Sequence, residues 1–187
     1  MSFKSTLVRH QKMVEGLFSL EVQIDKLVDK VGTALANGNK ALFFGNGGSA
    51  SDSQHLAAEF VVRYSKQRAL LAAIALTTDT SILTAHGNDY SFDTIFDRQI
   101  QALAKPGDIA IGLSTSGDSA NVINGLKIAK EMGCWTCAFT GQSGGKLRTQ
   151  ADCCLQIPSN ETARVQEGHI IIGHWLCEAL DQKLSVE

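Results

Sequence analysis

Along the first 36 residues, apolar side chains recur at three- and four-residue spacings: Met13, Val14, Leu17 and Phe18, then Ile24, Leu27, Val28, Val31 and Leu35. That period lines one face of a helix, and it predicts either one helix or two broken near Ser19. Asn37-Gly38-Asn39 predicts the stop, because Gly and Asn tolerate the left-handed conformation that ends helices. Beyond residue 40 the pattern changes. Short continuous apolar runs predict strands at 41–45, 71–76, 108–113, 135–140 and 153–157. Helical stretches separate them at about 49–63, 79–85, 92–104, 119–132, 143–150 and 161–183. Apolar strands alternating with helices predict a parallel sheet covered on both faces, with right-handed crossovers. The expected fold is therefore α/β, a three-layer sandwich around a five-stranded parallel sheet. Residues 1–37 form its N-terminal helical extension and 38–187 its α/β core, within one domain.

Composition narrows the function classes. The chain is 44% hydrophobic and 19% charged, as ordinary globular proteins are. A net charge of −2 gives no electrostatic case for a nucleic-acid partner. No apolar run approaches the ~20 residues of a membrane span, and charges interrupt the opening MSFKSTLVRHQK, so no secretion signal is expected. Five cysteines, an odd number, predict reduced thiols and a cytoplasmic protein. Cys134-Trp-Thr-Cys137 resembles a redox or zinc pair, but it falls on a strand, where positions three apart face opposite sides. Buried structural thiols are expected there.

In an open parallel sheet, ligands bind beyond the carboxyl ends of the strands. Two such ends carry unusual chemistry. After the first strand comes Gly45-Asn46-Gly47-Gly48-Ser49-Ala50-Ser51, whose glycines allow close backbone approach and whose following helix offers unpaired N–H groups to an anion. After the third comes Ser114-Thr115-Ser116-Gly117-Asp118-Ser119, with four hydroxyls for a neutral phosphate cradle. Either loop alone reads equally well as turn and N-cap residues; two on one sheet favour a ligand. Neither has the spacing of a dinucleotide or Walker loop. A third polar segment, Ala85-His86-Gly87-Asn88-Asp89-Tyr90, offers groups for sugar hydroxyls, although by itself it reads as a turn.

Acid–base chemistry sits on two helices. His55 and Glu59 are four apart and share a helix face, and Arg63 extends that row, as a surface ion-pair row would too. Gln166 and His174 are two turns apart on one side of the last helix, where Ile170, Ile171, Ile172, Trp175 and Leu176 predict burial. A buried histidine there is either a hydrogen-bonded core residue or a functional one. His169, five residues before His174, points elsewhere.

Four ordered blocks now carry a resemblance: Gly45–Glu59 (GNGGSASDSQHLAAE), Leu76–Tyr90 with its LTTDTS and GNDY, STSG at 114–117, and Ala163–Cys177 with ARVQEGH and H-W-L-C. Together they resemble the sugar isomerase (SIS) fold, flavodoxin-like, and within it the phosphoheptose isomerase family, from about residue 40 to the C-terminus. The resemblance implies an aldose–ketose isomerase converting D-sedoheptulose 7-phosphate to D-glycero-D-manno-heptose 7-phosphate through an enediol. It implies Glu59 as base and His174 as acid, and one Zn²⁺ per subunit on His55, Glu59, Gln166 and His174. Substrate contacts are implied at Asn46, Gly47, Gly48, Ser49, Asn88, Asp89, Ser114, Thr115, Ser116, Ser119, Glu59 and Gln166, with Arg63 a further candidate. A homotetramer with sites at subunit interfaces is implied as well. The alternative is a non-catalytic sugar-phosphate-binding regulator of the same fold, such as a replication-initiator-associating protein. Retention of Glu59 and His174 favours the enzyme.

Overall fold

The structure is a computed structural model and describes residues 2–184. Helices α1 (Phe3–Gly16) and α2 (Glu21–Ala36) are joined by a 3₁₀ turn at Leu17–Leu20, so of the two alternatives left open by the sequence the break near Ser19 is the one present. There follow β1 (Ala41–Gly45), α3 (Gly48–Val61), β2 (Ala73–Ala75), α4 (Thr80–Asp89), a 3₁₀ turn at Phe92–Thr94, and α5 (Asp97–Leu103). Then come β3 (Ile109–Ser114), α6 (Ala120–Glu131), β4 (Trp135–Thr140), α7 (Leu147–Gln150), β5 (Cys153–Gln156) and α8 (Thr162–Lys183). The five strands form one all-parallel sheet in the order β2-β1-β3-β4-β5.

Strand alternation decides which helix covers which face. Phe43, Ile111, Phe139 and Leu155 point to the side packed by α1, α2, α3 and α8. Leu42, Phe44, Ala110 and Ala138 point to the side packed by α5, α6 and α7. Both faces are dry, which explains strands that read as unbroken apolar runs. Fully buried Phe43 meets Phe60 of α3 edge-on at 5.3 Å; burying each such ring contributes about 2–3 kcal/mol. Met13, Leu27 and Val31 of the N-terminal helices join the same cluster as the sheet. Cys134 and Cys137 lie in opposite clusters, both buried, and all five cysteines are free thiols. Among the described residues no helix is long and apolar enough to cross a membrane.

Several element boundaries differ from expectation: the helix expected at 92–104 is a 3₁₀ turn (Phe92–Thr94) followed by α5 (Asp97–Leu103), α3 stops at Val61, and three further cases have a visible cause. β2 is half the predicted 71–76, because it is an edge strand pairing only at Ala41–Phe43 of β1, while the Leu71 amide is drawn to the Phe60 carbonyl at 3.3 Å. α7 begins at residue 147 rather than 143, since Gly144 (φ +73°) and Gly145 (φ +50°) adopt left-handed backbone that no α-helix accommodates. The segment 85–90, read as a turn, is instead the last turn of α4. That helix is capped at its start by Asp79, whose carboxylate accepts from the Ile82 amide at 2.9 Å, and closed by Tyr90 N–H donating to the His86 carbonyl at 3.0 Å.

A buried ion pair ties the two helices that matter most. Arg68 Nε donates to Asp181 Oδ1 at 2.6 Å, and both side chains are fully buried. Arg68 also donates to the carbonyls of Glu59 (2.8 Å) and Phe60 (3.0 Å), fastening the end of α3 to α8. Burial pushes the Asp181 carboxyl up, but the Lys66 and Ser65 amides and Arg68 outweigh it and hold the group below the usual carboxylate range.

Candidate active site

The strand order reverses between β1 and β3, and ligands of open α/β sheets bind at such a switch point. Pairing of β1 with β3 ends at Gly45 opposite Leu113. Just beyond it opens a cleft of about 280 Å³. Asn46, Gly47, Gly48 and Ser49 form one wall, Ser114, Thr115 and Ser119 another, and Thr162 and Gln166 of α8 the third. Among the described residues no charged side chain lines it.

Local chemistry explains these walls. Gly47 and Gly48 lead into α3, where a helix leaves N–H groups without intrahelical partners. Gly48 lets the Gln166 side chain come close: a Cβ there would lie 2.4 Å from its amide nitrogen and would push that side chain aside. In the opposite loop the hydroxyls are not four equivalent donors. Buried Ser114 organises the loop, its Oγ donating to Ser119 Oγ (2.9 Å) and accepting from the Gly117 amide (3.2 Å). Ser116 is exposed and outside the lining, and its Oγ accepts from the Asp118 amide at 3.1 Å. Thr115 and Ser119 face the cleft.

Along α8 from Gln166, two turns and about 12 Å away, His174 meets residues of α3. His55 Nε2 lies 2.9 Å from His174 Nε2 and 3.7 Å from Glu59 Oε1. Two ring nitrogens at that separation share either a proton or a cation. Tyr64 lies over His174 with ring centroids 5.6 Å apart. Asp52, one turn before His55, adds a carboxylate whose buried Oδ2 has no hydrogen-bond partner among the described residues. Burial pushes this carboxyl up, opposed by the nearby His55 and His174 rings.

Sequence reasoning thus placed His55, Glu59 and His174 together, and Asn46, Gly47, Gly48, Ser49, Ser114, Thr115, Ser119 and Gln166 around the cleft. Four candidates lie apart: Ser116, outside the lining, and Arg63, Asn88 and Asp89. Arg63 does not extend the α3 row, because α3 ends at Val61 and Arg63 is exposed beyond it. Asn88 and Asp89 are exposed at the end of α4 and bonded to each other, Asn88 Nδ2 donating to Asp89 Oδ1 at 2.8 Å. Asp52, Tyr64 and Thr162 were missed. Asp52 is three residues before His55, a helical neighbour that spacing alone could have flagged.

Two imidazoles with a carboxylate alongside are donors of the type zinc takes. His55, His174 and Glu59 fit such an ion by chemistry, and the unpartnered Asp52 oxygen lies in the same region. Among the described residues no three His, Cys, Asp or Glu side chains close on one point. Gln166 faces the cleft, against Gly48.

His169, on another side of α8, is fully buried. Its Nε2 lies 3.2 Å from the Thr140 carbonyl, to which it donates, and its Nδ1 has no partner among the described residues. Burial pushes the imidazole down to about 4, with the Thr140 contact opposing.

Residues 10–141 match the family described as SIS domain. A phosphoheptose isomerase from Aquifex aeolicus is 57% identical over 166 residues, 87% of either chain. One from Aliarcobacter butzleri is 48% identical over 182 residues, 97% of this chain and 96% of its own. Among solved structures, a phosphoheptose isomerase from Neisseria gonorrhoeae is 40% identical and superposes with a TM-score of 0.90, covering 96% of both chains.

Proposed function

Because this chain belongs to the SIS domain family, among the phosphoheptose isomerases, we propose that it interconverts D-sedoheptulose 7-phosphate and D-glycero-D-manno-heptose 7-phosphate. Its product would feed heptose synthesis for a bacterial surface glycan, in the cytoplasm. The observation that carries the mechanism is the approach of Glu59 and His174, from α3 and α8, to one atom of His55.

Aldose–ketose isomerisation moves a proton between C1 and C2 through an enediol, so it needs a base at carbon and a proton donor at oxygen. Glu59 takes the carbon-bound proton and His174 serves the oxygen; the roles exchange in reverse. The phosphate, at the far end of a seven-carbon chain, occupies the neutral cleft two helical turns away along α8. Binding energy there orients the reacting carbons without entering the chemistry. Zinc, one ion per subunit, would be held by His55, Glu59 and His174; Gln166, the fourth donor expected from the sequence, lies instead against Gly48 in the cleft. When bound it would polarise the substrate carbonyl as a Lewis acid.

A homotetramer suits the outer surface of the N-terminal helices. Phe18 and Val22 are 80% and 78% exposed, and with Trp175 and Ile171 of α8 they leave apolar area for a second copy to cover. The reading as a non-catalytic regulator is not favoured, since the relatives are named as isomerases and the acid–base pair is intact.

The test is incubation of the purified protein with sedoheptulose 7-phosphate, ribulose 5-phosphate and fructose 6-phosphate, followed by NMR. Conversion of the heptulose phosphate in preference to the others is expected. Preference for a shorter sugar would refute the substrate, and no conversion of any would refute the enzyme.

A further inference from the structure

Past the last β1–β3 pair, at Gly45 and Leu113, the two loops that wall the phosphate cleft separate. Among the described residues one pair of side chains supplies the hydrogen bonds between them. Asn46 Nδ2 donates to Asn121 Oδ1 at 2.8 Å, and Asn121 Nδ2 donates back to Asn46 Oδ1 at 2.9 Å. The two amides close a ring of two bonds between residues 75 apart in sequence. Asn121 sits in the first turn of α6, is 2% exposed, and does not line the cleft. A buried amide that spends a donor and an acceptor on a loop residue fixes that residue's orientation.

We propose that Asn121 is a positioning residue for substrate phosphate: its amide pair with Asn46 sets the separation of the two loops and hence the width of the cleft. The proposal rests on the reading of the cleft as the phosphate site. It assigns Asn46 a second role, since its side chain braces the glycine loop while the Gly47 and Gly48 backbone faces the ligand. The pair is well suited to that task. Reciprocal bonds resist both sliding and spreading of the loops, whereas a single bond would still allow rotation. Widening the cleft would weaken several neutral donors together, because none compensates with charge.

The experiment uses Asn46→Ala, Asn121→Ala and the double variant in the full-length protein. KM and kcat for sedoheptulose 7-phosphate are measured alongside the dissociation constant for inorganic phosphate. Loss of two net hydrogen bonds corresponds to about a 10-fold change. Asn121→Ala is therefore expected to raise KM and the phosphate dissociation constant about 10-fold each, with kcat at saturation nearly unchanged. The double variant should match the single ones, since each acts through the other. A purely structural pair would lower the melting temperature and leave both constants at wild-type values, which would overturn the proposal; so would additive effects. Should Asn121→Ala fail to fold, Asn121→Asp, which keeps the acceptor and removes the donor, is measured against the same criteria. If the wild type binds phosphate but does not isomerise the heptulose phosphate, the substrate reading fails and the phosphate arm still decides this one. Absence of phosphate binding by the wild type would overturn it.

Discussion

The buried imidazole of His169 gives an acid-stability prediction with a calculable size. Its Nε2 is committed to the Thr140 carbonyl, and its Nδ1 faces the interior with no acceptor in reach. Protonation would place on Nδ1 a charge and a donor that nothing there can satisfy. Burial accordingly holds the group at about 4 in the folded chain, against about 6.5 for a solvated histidine. Between these values the unfolded state binds more protons, so stability is fully present above about pH 6.5 and is lost as pH falls toward 4. Integrating over that window, this one side chain removes about 3 kcal/mol of stability by pH 4. Carboxylates also contribute to acid unfolding, so the effect is isolated by comparison with His169→Gln, whose amide nitrogen can replace Nε2 as donor but does not titrate. Urea midpoints measured from pH 7 to pH 4 should fall more steeply for wild type than for the variant, by about 3 kcal/mol in total. Parallel curves would refute the argument, because they would mean that the imidazole finds water or an acceptor when charged.

Glu59→Gln should keep the fold and sugar-phosphate affinity while lowering turnover by ~100-fold or more; wild-type turnover would remove Glu59 as the base. Thr115→Val keeps the shape of the cleft wall but deletes a hydroxyl, so KM should rise by about 3- to 10-fold, with the melting temperature unchanged. Arg68→Met strands the buried Asp181 carboxylate and should cost about 3–5 kcal/mol by urea denaturation. A loss below ~1 kcal/mol would show that water reaches the pair.

Much of the fold was legible because burial on both faces leaves unmistakable apolar runs. β1 and β4 match their expected bounds, since central strands are apolar along their whole length. β2 was overread because an edge strand ends where its single neighbour stops pairing, which sequence does not mark. The polar segment at 85–90 looked like a turn, yet the Asp79 cap and the Tyr90–His86 bond carry the helix through it. The grouping of His55, Glu59 and His174 was partly legible through helical spacing, which placed His55 and Glu59 on one face and separated His174 from His169. What escaped depends on long-range closure. Nothing in the local pattern connects Asn46 to Asn121, or shows that Ser114 spends its hydroxyl inside its own loop. Such partnerships arise only when the chain has folded.

A cradle made of hydroxyls and peptide dipoles also shapes how substrate arrives. With no lysine or arginine in its walls among the described residues, and a protein of net charge −2, the cleft projects little field into solvent. On the reading of the cleft as the phosphate site, a phosphorylated sugar would reach it by unassisted diffusion, with little attraction for added salt to screen. Affinity is therefore decided at contact, by the fit of dipoles around the anion, and this enzyme should keep its grip on substrate across ionic strengths that would loosen a site built on cations.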